Sequence, residues 1–148
     1  MFDVCAVLIT LDLMAWIRSD SNCFGWFAHA HTRVPCTTAG EANAGDPSSY
    51  ACRFPAMIAD WRMKFKLPEL SFLFVQLAAE LCCGDYSMIR QAQLAALKLP
   101  RTGFATAIDL GDPTGPFGDI HPRRKQEVGR RLSLVMLDVQ VKYACFGL

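Results

Sequence analysis

The sequence predicts a mixed α/β domain in which strands and helices alternate along the chain. Two short apolar runs, at residues 71–77 and 104–110, are typical of buried strands, and apolar stripes at helical spacing precede, separate and follow them. A length of 148 residues, with 52% hydrophobic and 20% charged residues, fits one ordinary globular domain. Because such domains bind ligands outside the carboxyl ends of their parallel strands, function is expected in the loops that follow the strands.

The first helical stripe is apolar and aromatic, and a strand-like run follows it. The stripe consists of Tyr50, Phe54, Met57, Ile58, Trp61 and Phe65. Pro55 interrupts this stripe, and proline is tolerated mainly at a helix start, so we predict a regular helix over residues 55–66. Core packing and an exposed charge account for Trp61 and Arg62. The run at 71–77 is nearly continuous rather than alternating, which predicts a strand covered on both faces in a parallel sheet.

The second half of the chain continues the alternation. Apolar residues at helical spacing predict a helix over 86–97, which Pro100 and Gly103 end before the strand at 104–110. The last helix is predicted to begin at Pro122, since proline is favoured as the first helical residue. Its apolar stripe opposes an outer face rich in Arg and Lys, as in a surface helix packed on a sheet. That stripe is Val128, Leu132, Val135 and Met136.

Composition excludes several classes of partner. A formal net charge of +1, with no basic run longer than residues 123–125, gives no electrostatic footprint for nucleic acid. The apolar stretch at 4–17 is too short for a membrane span and is interrupted by Asp12, and it makes a poor signal peptide because no Lys or Arg precedes it. Localisation therefore stays open.

Metal sites are not expected either. The seven cysteines form no C-x-x-C pair, and His29 and His31 have no third ligand at suitable spacing, so we predict no metal and no cofactor. The spacing of the cysteines does not decide whether any of them form disulfides.

Two loop segments carry residues suited to chemistry. In Gly40-Glu41-Ala42-Asn43, small residues surround a carboxylate and an amide, and an Asn side chain beside a Gly N–H is one way to bind an oxyanion. A polar turn is the alternative interpretation.

The second segment runs from the end of the strand at 104–110 to His121. Its position before Pro122 places His121 near the positive end of a helix dipole, which favours the neutral imidazole of a general base. Asp119, or an acid on the preceding loop, would orient it. The alternative is that His121 only caps the helix.

Together these segments resemble the sialate O-acetylesterases of the SGNH (GDSL-like) hydrolase superfamily. The matching stretches are GEANA at 40–44, FPAMIADWR at 54–62, FLFVQLA at 72–78, TGFATAIDLGD at 102–112 and DIHPRRKQEVGRRLSL at 119–134. The resemblance covers residues 40–136. It implies a flavodoxin-like three-layer α/β/α domain that removes O-acetyl groups from sialic acids or related sugars by Ser-His-acid chemistry, without metal. Relatives of this kind are often lysosomal, secreted or periplasmic.

The resemblance also implies roles for individual residues. His121 corresponds to the general base, Asp119 to its orienting acid with Glu41 as the rival, and Gly40 with Asn43 to the oxyanion and substrate contacts. Arg90 and Gln93 match polar positions of the family, which leaves both a substrate role and a structural role open for them.

The nucleophile departs from the family pattern. The family supplies its serine from a GQSNM-like segment well upstream of the GE(A/S)N turn, and the WYQ that leads into that turn is replaced here by residues 37–39, TTA. The nearest Ser-Asn pair begins at Ser21, which leaves too few residues before Glu41 for the intervening strands and helices.

We therefore predict a divergent segment at 1–39 and the C-terminal part of the hydrolase domain at 40–140. Such a domain is incomplete, and its exposed sheet edge would favour self-association. The alternative to an active esterase is an inactive fragment or a sugar-binding remnant that lacks the nucleophile.

Overall fold

A four-stranded sheet with helices between its strands forms the framework of the protein. The computed structural model describes residues 25–29, 32–37, 40–79, 86–117 and 121–145, the first two ranges by their backbone alone. The strands are β1 (Gly25–His29), β2 (Thr32–Thr37), β3 (Phe72–Gln76) and β4 (Thr102–Thr106), and the helices are α1 (Pro47–Lys64), α2 (Tyr86–Gln93) and α3 (Lys125–Cys145). Short 3₁₀ helices occur at Glu41–Asn43, Leu94–Lys98 and Ile108–Leu110.

The strands lie in the order β1-β2-β3-β4. β1 and β2 form an antiparallel pair, whereas β2 with β3, and β3 with β4, are parallel. The predicted parallel sheet with alternating helices is therefore confirmed. In the described part of the chain, no helix combines the length and apolar character that a membrane crossing requires.

Helix α1 begins earlier than its proline suggested. The carboxylate of Asp46 caps the helix by accepting hydrogen bonds from the Ser49 N–H (3.1 Å) and the Ser48 hydroxyl (2.9 Å), and Pro47 occupies the first turn. The prediction that the helix begins at Pro55 was wrong, because Pro55 lies inside it. A proline inside a helix costs about 3 kcal/mol. Burial of two aromatic rings before it, those of Tyr50 and Phe54, offsets this cost at about 1.5–3 kcal/mol each.

Strand β3 is covered on both faces, as the unbroken apolar run predicted. Phe72 and Phe74 pack in one core cluster with α1 and α2. Leu73 and Val75 point to the opposite face and pack in a second cluster with β4 and α3. Strand β3 thus contributes alternate side chains to two separate core clusters.

The segments just before β3 and β4 are tied to α1 by one buried arginine. Arg62 is 8% exposed, and its guanidinium donates to the Leu70 carbonyl at 3.0 Å and the Pro100 carbonyl at 2.6 Å. Burial lowers the pKa of Arg62. The expectation that Arg62 is an exposed charge was wrong, because its guanidinium satisfies backbone carbonyls just before β3 and β4.

Two element boundaries also differ from the predictions. The strand predicted over 104–110 begins at Thr102 and ends at Thr106, where the chain turns into a 3₁₀ helix. The last helix begins at Lys125 rather than Pro122. Between them the Arg123 N–H points to a carboxylate oxygen of Asp112 at 3.4 Å, and the Lys125 N–H bonds back to the Arg123 carbonyl at 2.8 Å. This tight turn occupies the residues before Lys125, so the helix begins after it.

Candidate functional site

The two segments singled out in the sequence follow strands that end at the same edge of the sheet. Gly40 comes shortly after β2, and the segment that leads to His121 begins after β4. Because β2, β3 and β4 are parallel, their carboxyl ends share one edge, as expected for a site in this class of fold. β3 lies between the other two strands, which separates their axes by about 10 Å.

The Gly40 segment is a tight turn that packs on core side chains. Gly40 is buried with a φ of 136°, a left-handed conformation that favours glycine. A Cβ at this position would meet the side chains of Tyr50, Leu77 and Ile89 at 3.4–3.5 Å. The Gly40 carbonyl accepts a hydrogen bond from the Asn43 N–H at 2.8 Å, which closes the turn.

Glu41 and Asn43 lie on the outer side of this turn, each partly exposed. Their role toward a ligand stays a prediction. Burial raises the pKa of the Tyr50 hydroxyl beneath them, and the charge of Glu41 raises it further. The buried Tyr50 hydroxyl therefore stays neutral beside the partly exposed carboxylate of Glu41.

His121 is exposed and lies four residues before the first residue of α3. Its imidazole is therefore not placed in the first turn of the helix, and the expectation that the helix dipole acts directly on it was wrong. The neighbouring Pro122 is buried, which fixes the backbone next to His121 against the protein. Asp119, the predicted orienting acid, lies outside the described residues, as does Ser21.

Arginines of the α3 segment engage the acids on the loop after β4. Arg131 donates to both oxygens of Asp109 at 2.6 and 2.7 Å, to Glu127 at 2.9 Å and to the Thr106 carbonyl at 2.8 Å. The hydrogen bonds from Arg131 lower the pKa of Asp109 to about 2. Hydrogen bonds from Arg130 and then Arg131 lower the pKa of Glu127 to about 2.

Asp112 is held in the same manner by Arg123. The guanidinium donates to both carboxylate oxygens, at 2.6 and 3.0 Å, and these hydrogen bonds lower the pKa of Asp112. Both acids of the preceding loop are thus ionised and paired with arginine. Neither is bonded to His121 here.

An open cavity of about 500 Å³ lies beside these ion pairs. Its lining consists of Asp109, Leu110, Gly111, Asp112, Thr114, Arg123 and Arg124. The lining is polar and contains charges of both signs, so it suits a hydrophilic ligand better than an apolar one. Among the residues that the structure describes, no group of three or more His, Cys, Asp or Glu side chains could hold a metal ion.

Gln93 and Arg90 donate hydrogen bonds to the backbone at and just after the end of β3. Gln93 is fully buried, and its amide donates to the Val75 carbonyl at 2.9 Å and accepts from the Leu77 N–H at 3.2 Å. Arg90 donates to the Ala78 carbonyl at 3.3 Å. Of the two roles left open for Gln93, these contacts support the structural one, because both of its polar atoms bind the end of β3. Its position four residues after the buried Ile89, on the apolar face of α2, was the sequence signal for burial.

Comparison with known proteins identifies a resemblance to acetylesterases. No protein-family model matches the chain. The sialate O-acetylesterases of mouse and human are 41% and 38% identical to it, each over 64% of this chain. The match covers 21% and 22% of those proteins, so the chain spans about a fifth of the length of these curated relatives.

Solved structures agree with this resemblance. A carbohydrate acetylesterase from Xanthomonas citri matches 76% of this chain and 26% of its own, with 36% identity and a TM-score of 0.62. A protein from Arabidopsis thaliana matches 67% of this chain and 39% of its own, with 25% identity and a TM-score of 0.51. The resemblance to sialate O-acetylesterases, and hence to a family of ester hydrolases, is confirmed for this part of the chain.

Proposed function

We propose that this chain is part of a carboxylic-ester hydrolase that removes O-acetyl groups from sialic acids or related sugars. The observation that carries the proposal is the agreement between the 38–42% identity to sialate O-acetylesterases and the structural match to a carbohydrate acetylesterase. The polar cavity at the carboxyl edge of the sheet supports a sugar as the ligand. The flavodoxin-like three-layer α/β/α arrangement belongs to the same proposal.

In the proposed reaction, His121 accepts the proton of a serine hydroxyl as the serine oxygen attacks the acetyl carbonyl. The sugar oxygen leaves with that proton, and water then releases acetate from the serine by the same steps. Asn43 and the backbone beside Gly40 would stabilise the oxyanion. Asp119 is the proposed orienting acid and Glu41 its rival. The exposure of His121 is compatible with this role, since a base must reach its substrate.

Acetate release from O-acetylated N-acetylneuraminic acid tests the proposal directly. If the chain supplies the nucleophilic serine, it should release acetate, and His121→Gln should lower the rate on the order of 100-fold or more, since general base catalysis contributes about 10²–10⁴-fold. His31→Gln is the matched control and should leave the rate unchanged, because His31 lies in the segment without a family match. Full activity of His121→Gln would refute the assignment of the base.

A second function follows from the departure at the nucleophile. Since Ser21 lies only about twenty residues before Glu41, too close for the intervening elements of this fold, the alternative is an inactive fragment or sugar-binding remnant. A fluorophosphonate probe separates the two. Labelling that disappears in Ser21→Ala supports the hydrolase, whereas absence of labelling together with binding of the acetylated sugar, measured by calorimetry, supports the remnant. Self-association through a sheet edge is checked by sedimentation of the same sample.

A further inference from the structure

Asp112 and Arg123 join the two ends of the chain segment that carries His121. The Arg123 guanidinium donates to the two carboxylate oxygens of Asp112 at 2.6 and 3.0 Å, and the Arg123 N–H points to the same carboxylate at 3.4 Å. His121 lies two residues before Arg123. We call this pair of residues the clasp.

The clasp is built more firmly than an ordinary surface ion pair. The Asp112 side chain is 16% exposed, whereas that of Arg123 is 58% exposed. Exposed ion pairs contribute little on average, but a bidentate arginine–carboxylate pair is both stronger and geometrically specific. The two hydrogen bonds from Arg123 hold both carboxylate oxygens in one orientation toward its guanidinium.

Gly115 gives independent support for this orientation. The Gly115 N–H bonds to the Asp112 carbonyl at 2.9 Å, so the chain turns back over Asp112. A Cβ at position 115 would lie 2.8 Å from a carboxylate oxygen of Asp112 and 3.0 Å from its carbonyl. The 2.8 Å distance is too short for a real contact, so a side chain at position 115 would displace the Asp112 carboxylate from its place in the clasp.

Both ends of the clasp are anchored to the fold. On one side, the buried Leu110 donates its N–H to the Ala107 carbonyl at 2.9 Å, just after β4. On the other side, Arg123 precedes α3, which packs on the sheet. We propose that the clasp holds His121 at the carboxyl edge of β4, and that Asp112 and Arg123 are positioning residues for the hydrolysis proposed above. This inference rests on that proposed function.

Hydrogen exchange followed by mass spectrometry tests the clasp without relying on activity. Asp112→Asn removes the charge, and Gly115→Ala displaces the carboxylate while keeping it. We expect both variants to speed exchange on the order of 10-fold in peptides covering residues 112–124, because the pinned ends are released. Glu69→Gln is the matched control. It removes the 2.6 Å pair with Arg101 at the opposite edge of the sheet and should leave these peptides unchanged.

The positioning role is tested by steady-state acetate release. We expect Asp112→Asn and Gly115→Ala to lower kcat on the order of 10-fold or more with KM nearly unchanged, because a misplaced base slows the chemical step and not binding. Arg123→Lys, which keeps the charge but not the bidentate geometry, should lie between Arg123→Gln and wild type. The melting temperature of each variant is measured alongside to show that it is folded.

Each outcome decides a separate point. Unchanged exchange at 112–124 in both Asp112→Asn and Gly115→Ala would overturn the clasp. Faster exchange with unchanged kcat would overturn the positioning role. Undiminished activity of His121→Gln, or no acetate release by wild type, would overturn the proposed function and with it the positioning role, while the exchange result would still establish the clasp.

Discussion

Replacement of Gln93 by methionine should destabilise the protein because it removes a buried clamp on β3. The Gln93 side chain is 0% exposed and makes two hydrogen bonds to backbone groups at the end of that strand. Those groups belong to Val75 and Leu77, which are 3% and 4% exposed, so water cannot readily replace the lost partner. Each buried group left unpaired costs about 1–3 kcal/mol. With two groups left unpaired, Gln93→Met should therefore cost about 2–6 kcal/mol of unfolding free energy.

Gln93→Glu separates the hydrogen bonds from simple packing. A carboxylate can accept from the Leu77 N–H but cannot donate to the Val75 carbonyl, whereas a protonated carboxyl can do both. Folding therefore raises the pKa of the introduced carboxyl above about 4.3, its unfolded value. Its loss of stability relative to wild type should be smallest below that pH and should grow as the pH rises through the folded pKa.

Urea unfolding of the whole chain between pH 4 and 8 measures both effects. Gln91→Glu is the matched control, since Gln91 is exposed on the same helix, and it should stay within about 0.5 kcal/mol of wild type. The clamp would be refuted if Gln93→Met unfolded at the wild-type urea concentration. A pH-independent difference between Gln93→Glu and wild type would show that the donor to Val75 is unimportant.

Three further substitutions test how the fold supports the site. Arg62→Met should lower the free energy of unfolding in urea by about 2 kcal/mol, because two carbonyls lose a charged donor. The control Arg53→Met, on the exposed face of the same helix, should be nearly neutral, and equal effects of the two substitutions would contradict the buried role of Arg62. Gly103→Ala should lower the free energy of unfolding by about 1–3 kcal/mol, since its Cβ would lie 2.6 Å from a methyl of Val135. Adding Val135→Ala should recover part of that loss, and strict additivity of the two substitutions would rule out this contact. Lys66→Gly should raise the melting temperature and stabilise by up to about 1 kcal/mol, because the φ of 55° is left-handed, and a lower melting temperature would count against this reasoning.

The sequence predicted the central part of the fold because burial leaves a periodic pattern. Phe72, Leu73, Phe74 and Val75 form an unbroken apolar run, and the structure shows that they alternate between two core clusters. The apolar stripe of α3 likewise faces the sheet. Because the strands are parallel, their carboxyl ends share one edge of the sheet. Gly40 and the segment after β4 both follow strands that end there.

The polar contacts could not be predicted in this way, because they join residues distant in sequence. Arg62 binds the carbonyl of Pro100, 38 residues away, and Arg123 binds Asp112, 11 residues away. Local patterns show only that these residues are charged, and charge usually indicates exposure. The same limit explains the wrong prediction at Pro55. The free-energy cost of a proline inside a helix can be read from the local sequence, whereas the packing that offsets it depends on β3.

Side chains from the helices satisfy the backbone groups at the strand ends, and His121 is not among these side chains. Strands covered on both faces leave backbone groups at their ends that need partners. Arg62 donates to carbonyls just before β3 and β4, and Gln93 donates to the Val75 carbonyl near the end of β3. Arg131 donates to the Thr106 carbonyl at the end of β4. These side chains come from helices on both faces, so the loops at the carboxyl edge start from fixed positions. His121 is exposed and takes no part in these contacts, so its replacement should alter chemistry without unfolding the protein.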